Sequence, residues 1–272
     1  MLDVIIIGDG PAGLSAAINA RQRALETAVI SIDRTSSGLF KASLIDNYPG
    51  LPGITGSDLS DKLIAHATES GAQLIAGRVI SILPSGGSFY LGYGESVIDA
   101  KCVILATGVS QTSLFPGEEK LLGSGVSYCA TCDGMLYRGK RVCAVCLAPD
   151  ADEEVHYLTS IGCDVIRIET QNVTINGDSS VTSVTANGDD LVCSGVFIFR
   201  KSVAPHLLLS NLKTENGHIS ISFECETNIP GVFAAGDCTG TPYQIAKAVG
   251  QGQIAALNAA QYISKINNSE AK

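Results

Sequence analysis

The stretch Gly8-Asp9-Gly10-Pro11-Ala12-Gly13 constrains this chain more than any other. It follows an apolar run at residues 2–8 and opens a helical pattern that extends to about Arg23. A second apolar run, residues 27–32, ends at Asp33, twenty residues past Gly13. Strand, glycine turn, helix, second strand and terminal acid form the order of a dinucleotide-binding βαβ unit. The first glycine permits the turn, the second lets backbone approach a pyrophosphate, and the third lets helix pack on strand. Phosphate then sits at the helix N-terminus, where free N–H groups and the dipole favour an anion. Asp33 is placed to accept hydrogen bonds from ribose hydroxyls.

Farther along, residues 57–70 form a capped helical pattern, with Ser57 and Ser60 as possible N-caps. Alternation over residues 73–100 suggests β-hairpins, and Lys101-Cys102-Val103-Ile104-Leu105-Ala106 is a buried strand closing on Thr107-Gly108. Near the far end, Val232-Phe233-Ala234-Ala235-Gly236-Asp237 is again a short strand closing on glycine and an acid, followed by an amphipathic helix over residues 242–263. The middle starts its own strand-turn-helix at Arg141. The expected fold is therefore α/β with two Rossmann-like domains. Residues 1–112 and 226–272 form one, and residues 113–225 form an inserted, shortened domain, with crossovers near Leu114-Phe115-Pro116-Gly117 and near residues 226–228.

The 272 residues are 45% hydrophobic and 17% charged, a globular profile. A net charge of −9 argues against nucleic acid as the main partner. No apolar run approaches the ~18 residues of a membrane span. Nine cysteines and no secretory leader point to a reducing cytoplasm, where Cys-x-x-Cys signals catalysis or metal more often than a structural bridge. The sequons at Asn172 and Asn267 are then chance matches.

Two Cys-x-x-Cys pairs occur. Cys143 and Cys146 lie within a continuous strand pattern, where i and i+3 face opposite ways with Cα atoms ~10 Å apart. A disulfide needs about 4.4–6.8 Å. They are core-filling cysteines first, with a metal or redox role as the alternative. Cys129 and Cys132 sit instead among small and turn-forming residues and are followed by Asp133-Gly134. A turn brings such cysteines together, a helix start favours thiolate, and Asp133 offers a proton carrier. A redox disulfide is the first reading. Half of a zinc site is the second, but His66, His156, His206 and His218 are scattered without ligand spacing, so no metal is expected.

Cys129-Ala130-Thr131-Cys132-Asp133-Gly134 is similar to the active site of low-molecular-weight flavin thioredoxin reductases. So are residues 8–13, Asp46-Asn47-Tyr48-Pro49-Gly50, Ala106-Thr107-Gly108 and residues 230–237, in family order across most of the chain. The resemblance implies FAD in the domain built from the two ends, with redox cysteines on the insertion and a homodimeric assembly. It makes Cys132 the flavin-facing thiol, Cys129 the one that attacks thioredoxin, and Asp133 the acid/base. Its flavin set is Gly8, Gly10, Pro11, Ala12, Gly13, Asp33, Gly38, Asn47, Val79, Ala106, Thr107, Gly108, Gly236, Asp237, Gln244 and Ile245.

The insertion departs from the family. Where a second glycine fingerprint belongs stand Cys146-Leu147-Ala148-Pro149-Asp150, followed by Asp152, Glu153 and Glu154. Proline removes an N–H donor, and the acids repel phosphate. The next strand ends in Glu169-Thr170-Gln171 with no arginine for a 2′-phosphate, and Phe197-Ile198-Phe199-Arg200-Lys201 replaces the expected strand-glycine signature. NADPH binding is expected to be lost. The chain thus most resembles ferredoxin-dependent flavin thioredoxin reductases, which implies ferredoxin as electron donor and thioredoxin as acceptor. Ferredoxins are acidic, and Arg138-Gly139-Lys140-Arg141 and Arg200-Lys201 are candidate docking patches. Three rival readings stand: a reductase using NAD(P)H through an unorthodox loop, a reductase of another disulfide partner, and a flavin-bound redox sensor or scaffold.

Overall fold

The computed structural model describes residues 1–272 apart from residues 33, 34, 36, 95, 110–113, 149, 150, 201–204, 271 and 272. The chain divides into two compact units, Met1–Ser110 with Ala204–Lys272, and Gln111–Val203.

The first unit is built on a seven-stranded sheet. Leu2–Ile7 lies between Thr27–Ser31 and Ser96–Leu105, parallel to both. Gln73–Ala76 extends one side in parallel, while Ser88–Tyr93 and Val79–Ser85 add an antiparallel hairpin on the other. Ser96–Leu105 serves two roles along its length. Its first half pairs antiparallel with Ser88–Tyr93, and its second half pairs in parallel with Val232–Ala234 from the far end of the chain. Register then fixes the site: Ile7 is level with Leu105, and Leu105 with Ala234. The carboxyl ends of three strands, and the turns after them, meet at one edge. In open α/β sheets that edge is where ligands bind.

The helices Pro11–Arg21 and Ile245–Glu270 bury small side chains against this sheet, among them Ala12, Ala16, Ala255, Ala256 and Ala259. Their approach is close enough that a Cβ on Gly252 would fall 2.1 Å from the Ala12 carbonyl oxygen. The helix Gly56–Glu69 is capped by Thr55, whose hydroxyl accepts from Asp58 N at 3.1 Å, and not by Ser57 or Ser60. A threonine in extended backbone before the first turn is the better-placed acceptor.

The inserted unit was expected to run to residue 225, but the compact unit ends at Val203. Residues 205–225 are held by the first unit instead. Helix Pro205–Leu208 packs on Val79–Ser85, and the hairpin Thr214–Glu215/His218–Ile219 packs on the turn Asp237–Thr239. Ala234 N donates to Cys225 O at 3.0 Å. These pairings span long sequence separations, so no local pattern announces them.

The second unit has a parallel sheet ordered Val126–Ser127, Gly195–Phe199, Arg141–Cys146, Asp164–Ile168. Helix Ala151–Ser160 lies on one face. An antiparallel sheet of Val173–Gly177, Val181–Ala186 and Asp189–Val192 supplies the core of the other. Along Arg141–Cys146 the side chains alternate as a strand demands: Val142 and Ala144 join the helix-side core, Cys143 and Val145 the other. Cys143 and Cys146 are both free thiols, packed against opposite cores.

Candidate active site

At the carboxyl edge of the first sheet, Gly8 takes φ +110° and a Cβ there would meet Ala106 O at 2.3 Å. A Cβ on Gly13 would meet Gly8 O at 1.8 Å. Turn, helix and the strand Ser96–Leu105 therefore close on one another through glycine alone. Gly10 differs, since a Cβ there would touch nothing within 4 Å. It caps Pro11–Arg21 without a side-chain hydrogen bond, and the first turn holds no acid. The N–H groups of this helix start are thus left without an acid in the helix's own first turn, as suits a phosphate.

On the neighbouring turn, Asp237 presents a buried Oδ1 with no hydrogen-bond partner. Burial pushes its carboxyl above the usual carboxylate range, with Lys247 partly offsetting the rise. The Thr107 hydroxyl is buried beside the Cys238 thiol. Asn47 and Gln244 join through an Nδ2–Oε1 bond of 2.9 Å, so two distant members of the expected flavin set meet. Val79 comes two residues after Gly77, whose N–H bonds Ser31 O at 2.8 Å, which brings that segment to the same edge. Ile245 opens the long helix. Gly38 sits exposed in a loop, and Asp33 lies outside the described residues. The donor-rich helix start, the open Gly10 and the unpartnered Asp237 Oδ1 fit an FAD pyrophosphate and polyol.

Two residues of this site escaped the sequence reading. Lys247 donates from Nζ to Gly236 O at 3.0 Å and to Gly240 O. Gln251, one helical turn on, accepts from Gly236 N at 2.9 Å and Thr239 Oγ1 at 3.0 Å. Their i, i+4 spacing on the last helix was the available signal.

In the inserted unit Cys129 and Cys132 form a disulfide with Cα atoms 5.4 Å apart. Two zinc-bound thiolates are incompatible with that bond. Cys129 caps the short helix Ala130–Asp133, and its Sγ accepts from Cys132 N at 3.0 Å. Thr131 Oγ1 lies 3.3 Å from the same sulfur. Cys129 N donates to Ser127 Oγ at 3.1 Å, and the Ser127 hydroxyl reaches Asp133 Oδ2 at 2.7 Å. Ala130 N donates to Glu154 Oε2 at 3.2 Å. Cys129 is buried, whereas Cys132 is exposed.

The second nucleotide loop looks different. Leu147 N is taken by Phe199 O at 2.8 Å and Ala151 N by Ala148 O at 3.2 Å. Pro149 and Asp150 lie outside the described residues. Arg167, which the sequence reading passed over, stands near the end of the next strand. Its guanidinium is shared between Asp152 at 2.5 Å and Glu169 at 2.7 Å. An arginine held by two carboxylates at a helix start with three acids in its first turn is a poor phosphate receptor.

The expectation of a docking patch at Arg200-Lys201 fails at Arg200. This residue is buried and makes a two-pronged ion pair with Glu118, and Lys201 lies outside the described residues. Removing one partner of such a pair costs ~3–5 kcal/mol, so Arg200 holds the interior together. Arg141 is paired with Asp164 at 2.7 Å.

The family model described as "Pyridine nucleotide-disulphide oxidoreductase" matches residues 2–148 and 156–252, and its break falls on the start of helix Ala151–Ser160. A thioredoxin reductase of Listeria innocua is 32% identical, over 98% of this chain and 95% of its own. A ferredoxin-flavin thioredoxin reductase from Clostridium acetobutylicum superposes with a TM-score of 0.89 at 38% identity, covering 97% of this chain and 98% of that one. A thioredoxin reductase from Gloeobacter violaceus gives 0.80 at 28% identity, covering 97% and 94%.

Proposed function

The chain belongs to the pyridine nucleotide-disulphide oxidoreductase family, as a flavoprotein disulfide reductase of the thioredoxin reductase type, and from that premise we propose that it reduces thioredoxin with electrons from reduced ferredoxin and without NADPH. One observation carries the reading. The glycine turn and the disulfide turn are both in place, while the second nucleotide loop has acids and a spent arginine where a pyrophosphate would need backbone N–H groups. The likeness to a ferredoxin-flavin thioredoxin reductase over nearly the whole chain supports the same donor. We carry over a homodimer on the same grounds.

Bound flavin supplies the ability to take electrons singly and to pass them to a disulfide as a pair. The chain does the rest. Gly10 and the helix start would hold the pyrophosphate, and Asp237 would accept from the polyol hydroxyls. After reduction, a Cys129 thiolate keeps the Cys132 N–H and the Thr131 hydroxyl as partners, which favour the charged form. Cys129 attacks the thioredoxin disulfide, and Cys132 then attacks Cys129 and releases the thioredoxin dithiol. Asp133 Oδ2, held by Ser127, is the site through which protons reach the departing sulfurs. Because Cys129 is buried, its attack on a protein partner requires the turn to open.

The test is anaerobic absorbance of the purified protein mixed in turn with NADPH, NADH and reduced ferredoxin plus thioredoxin. Bleaching by ferredoxin alone, with thiols appearing on thioredoxin, is the expected result. Prompt bleaching by NADPH would overturn the reading of residues 146–154.

A further inference from the structure

Glu118 is fully buried, and its carboxylate receives four hydrogen bonds from three residues. Arg200 Nη2 donates to Oε2 at 2.7 Å and Arg200 Nη1 to Oε1. Phe115 N donates to Oε2 and the Tyr128 hydroxyl to Oε1, each at 2.8 Å. The guanidinium also lies over the Phe115 ring, 4.3 Å from its centroid. A carboxylate out of water keeps its charge only when donors converge on it in this way. The donors come from the segment that enters the inserted unit, the segment that leaves it, and the residue directly before Cys129.

The redox turn is therefore anchored unevenly. On its first side Tyr128 is tied to Glu118, Cys129 N to Ser127 and Ala130 N to Glu154. On its second side Asp133 is held by the Ser127 hydroxyl, while Cys132 is exposed, and so are Met135 and Leu136 in the next turn. We propose that Glu118 and Tyr128 are positioning residues for thiol–disulfide exchange, holding the Cys129 side of the turn fixed so that the Cys132 side carries the opening and closing of the bond. The inference rests on Cys129–Cys132 being the working disulfide. Two electrons and two protons convert that bond to two thiols. Its closure returns both electrons to the partner's disulfide, whose sulfurs leave as thiols with the two protons. On opening, the sulfurs move from bonding distance, about 2 Å, to nonbonded contact at about 3.5 Å or more. A fixed Cys129 keeps their effective concentration high, which favours the disulfide and speeds its closure.

Tyr128→Phe removes only the hydroxyl that links the ion pair to the turn. The holoenzyme is equilibrated in glutathione redox buffers, and the Cys129–Cys132 dithiol fraction is read by alkylation and mass, with flavin absorbance showing that the flavin stays oxidised. The rate at which the dithiol form reduces oxidised thioredoxin, closing the Cys129–Cys132 bond, is measured alongside. Tyr128→Phe is expected to shift the equilibrium toward dithiol and to slow bond closure, each by about tenfold, the worth of one hydrogen bond to a charged group. Arg200→Lys, which leaves the Tyr128–Glu118 bond in place, is expected to lower the thermal midpoint with the dithiol fraction near wild type. Wild-type equilibrium and rate in Tyr128→Phe would overturn the proposal, as would an equal shift in Arg200→Lys. The electrons here come from glutathione, so failure of ferredoxin as donor leaves this result standing. Failure of wild-type Cys129–Cys132 to exchange at all would overturn both.

Discussion

The second and third glycines of the nucleotide turn, Gly10 and Gly13, should fail in opposite ways when changed to alanine. In Gly13→Ala the new Cβ falls 1.8 Å from Gly8 O. Carbon and carbonyl oxygen rest about 3.3 Å apart, so helix and turn must part by roughly 1.5 Å. Both atoms belong to backbone or sit directly on it, and no rotamer relieves the clash. Overpacking of this kind costs ~1–3 kcal/mol before any effect on the cofactor. In Gly10→Ala the backbone already has φ −74° and ψ 179°, ordinary for alanine, and the methyl meets nothing within 4 Å. The flavin-free protein should be as stable as wild type, or ~0.4–1 kcal/mol more so because its unfolded chain is stiffer. The methyl stands instead where the pyrophosphate approaches. Loss of two N–H bonds to a charged group, at ~1.5–3 kcal/mol each, lowers FAD affinity by about 10²- to 10⁴-fold. Flavin content from the visible absorbance, and the thermal midpoint of flavin-stripped protein, separate the two. Full flavin occupancy in Gly10→Ala, or a stripped Gly10→Ala that melts as early as Gly13→Ala, would refute this account of the turn.

The same geometry sets other outcomes. Asp237→Asn should empty the flavin site while stabilising the stripped protein at neutral pH. Because burial raises the folded carboxyl's pKa, the folded state binds the proton more tightly than the unfolded one. Stability from this group is therefore lost above the raised value and regained as pH falls toward 3.8, the value of the unperturbed group. Melting against pH should show that rise in wild type and not in Asp237→Asn. Cys132→Ser should accumulate a mixed disulfide with thioredoxin, seen on non-reducing gels, and Cys129→Ser should not. The reverse pattern would give the attack to the exposed Cys132. Cys146→Ser should retain wild-type exchange, since its thiol lies outside the disulfide turn.

The sequence made some of this legible and hid the rest for physical reasons. The glycine turn could be read because residue type and spacing are themselves the constraint: Gly8 needs its positive φ and Gly13 its missing Cβ. The Cys129–Cys132 turn was legible for the same reason, as was the contrast with Cys143 and Cys146 on a strand. Glu118 and Arg200 were not, because 82 residues separate two charges that only the fold brings together. Arg200 consequently passed for a surface cation. Arg167 was overlooked because its role depends on Asp152, which reaches it from the neighbouring helix. The segment after Val203 was placed in the wrong unit because Ala234–Cys225 and the hairpin beside Asp237 are tertiary pairings without a local signature.

The strand Val232–Ala234 has a consequence for how the molecule comes into being. It is the parallel neighbour of Val103–Leu105, and Ala235 N closes on Leu105 O at 2.9 Å. The Gly8 turn cannot take its final shape until Ala106 is in place, and the sheet edge beside it stays unpaired until the last quarter of the chain has been synthesised. Among the described residues, the inserted unit has its strands by Phe199 and can fold while the ribosome is still working. The flavin half, built from contacts of very large sequence separation, is the slow partner. A chain stopped before Val232 should emerge with its redox disulfide formed and no place to hold the cofactor that drives it.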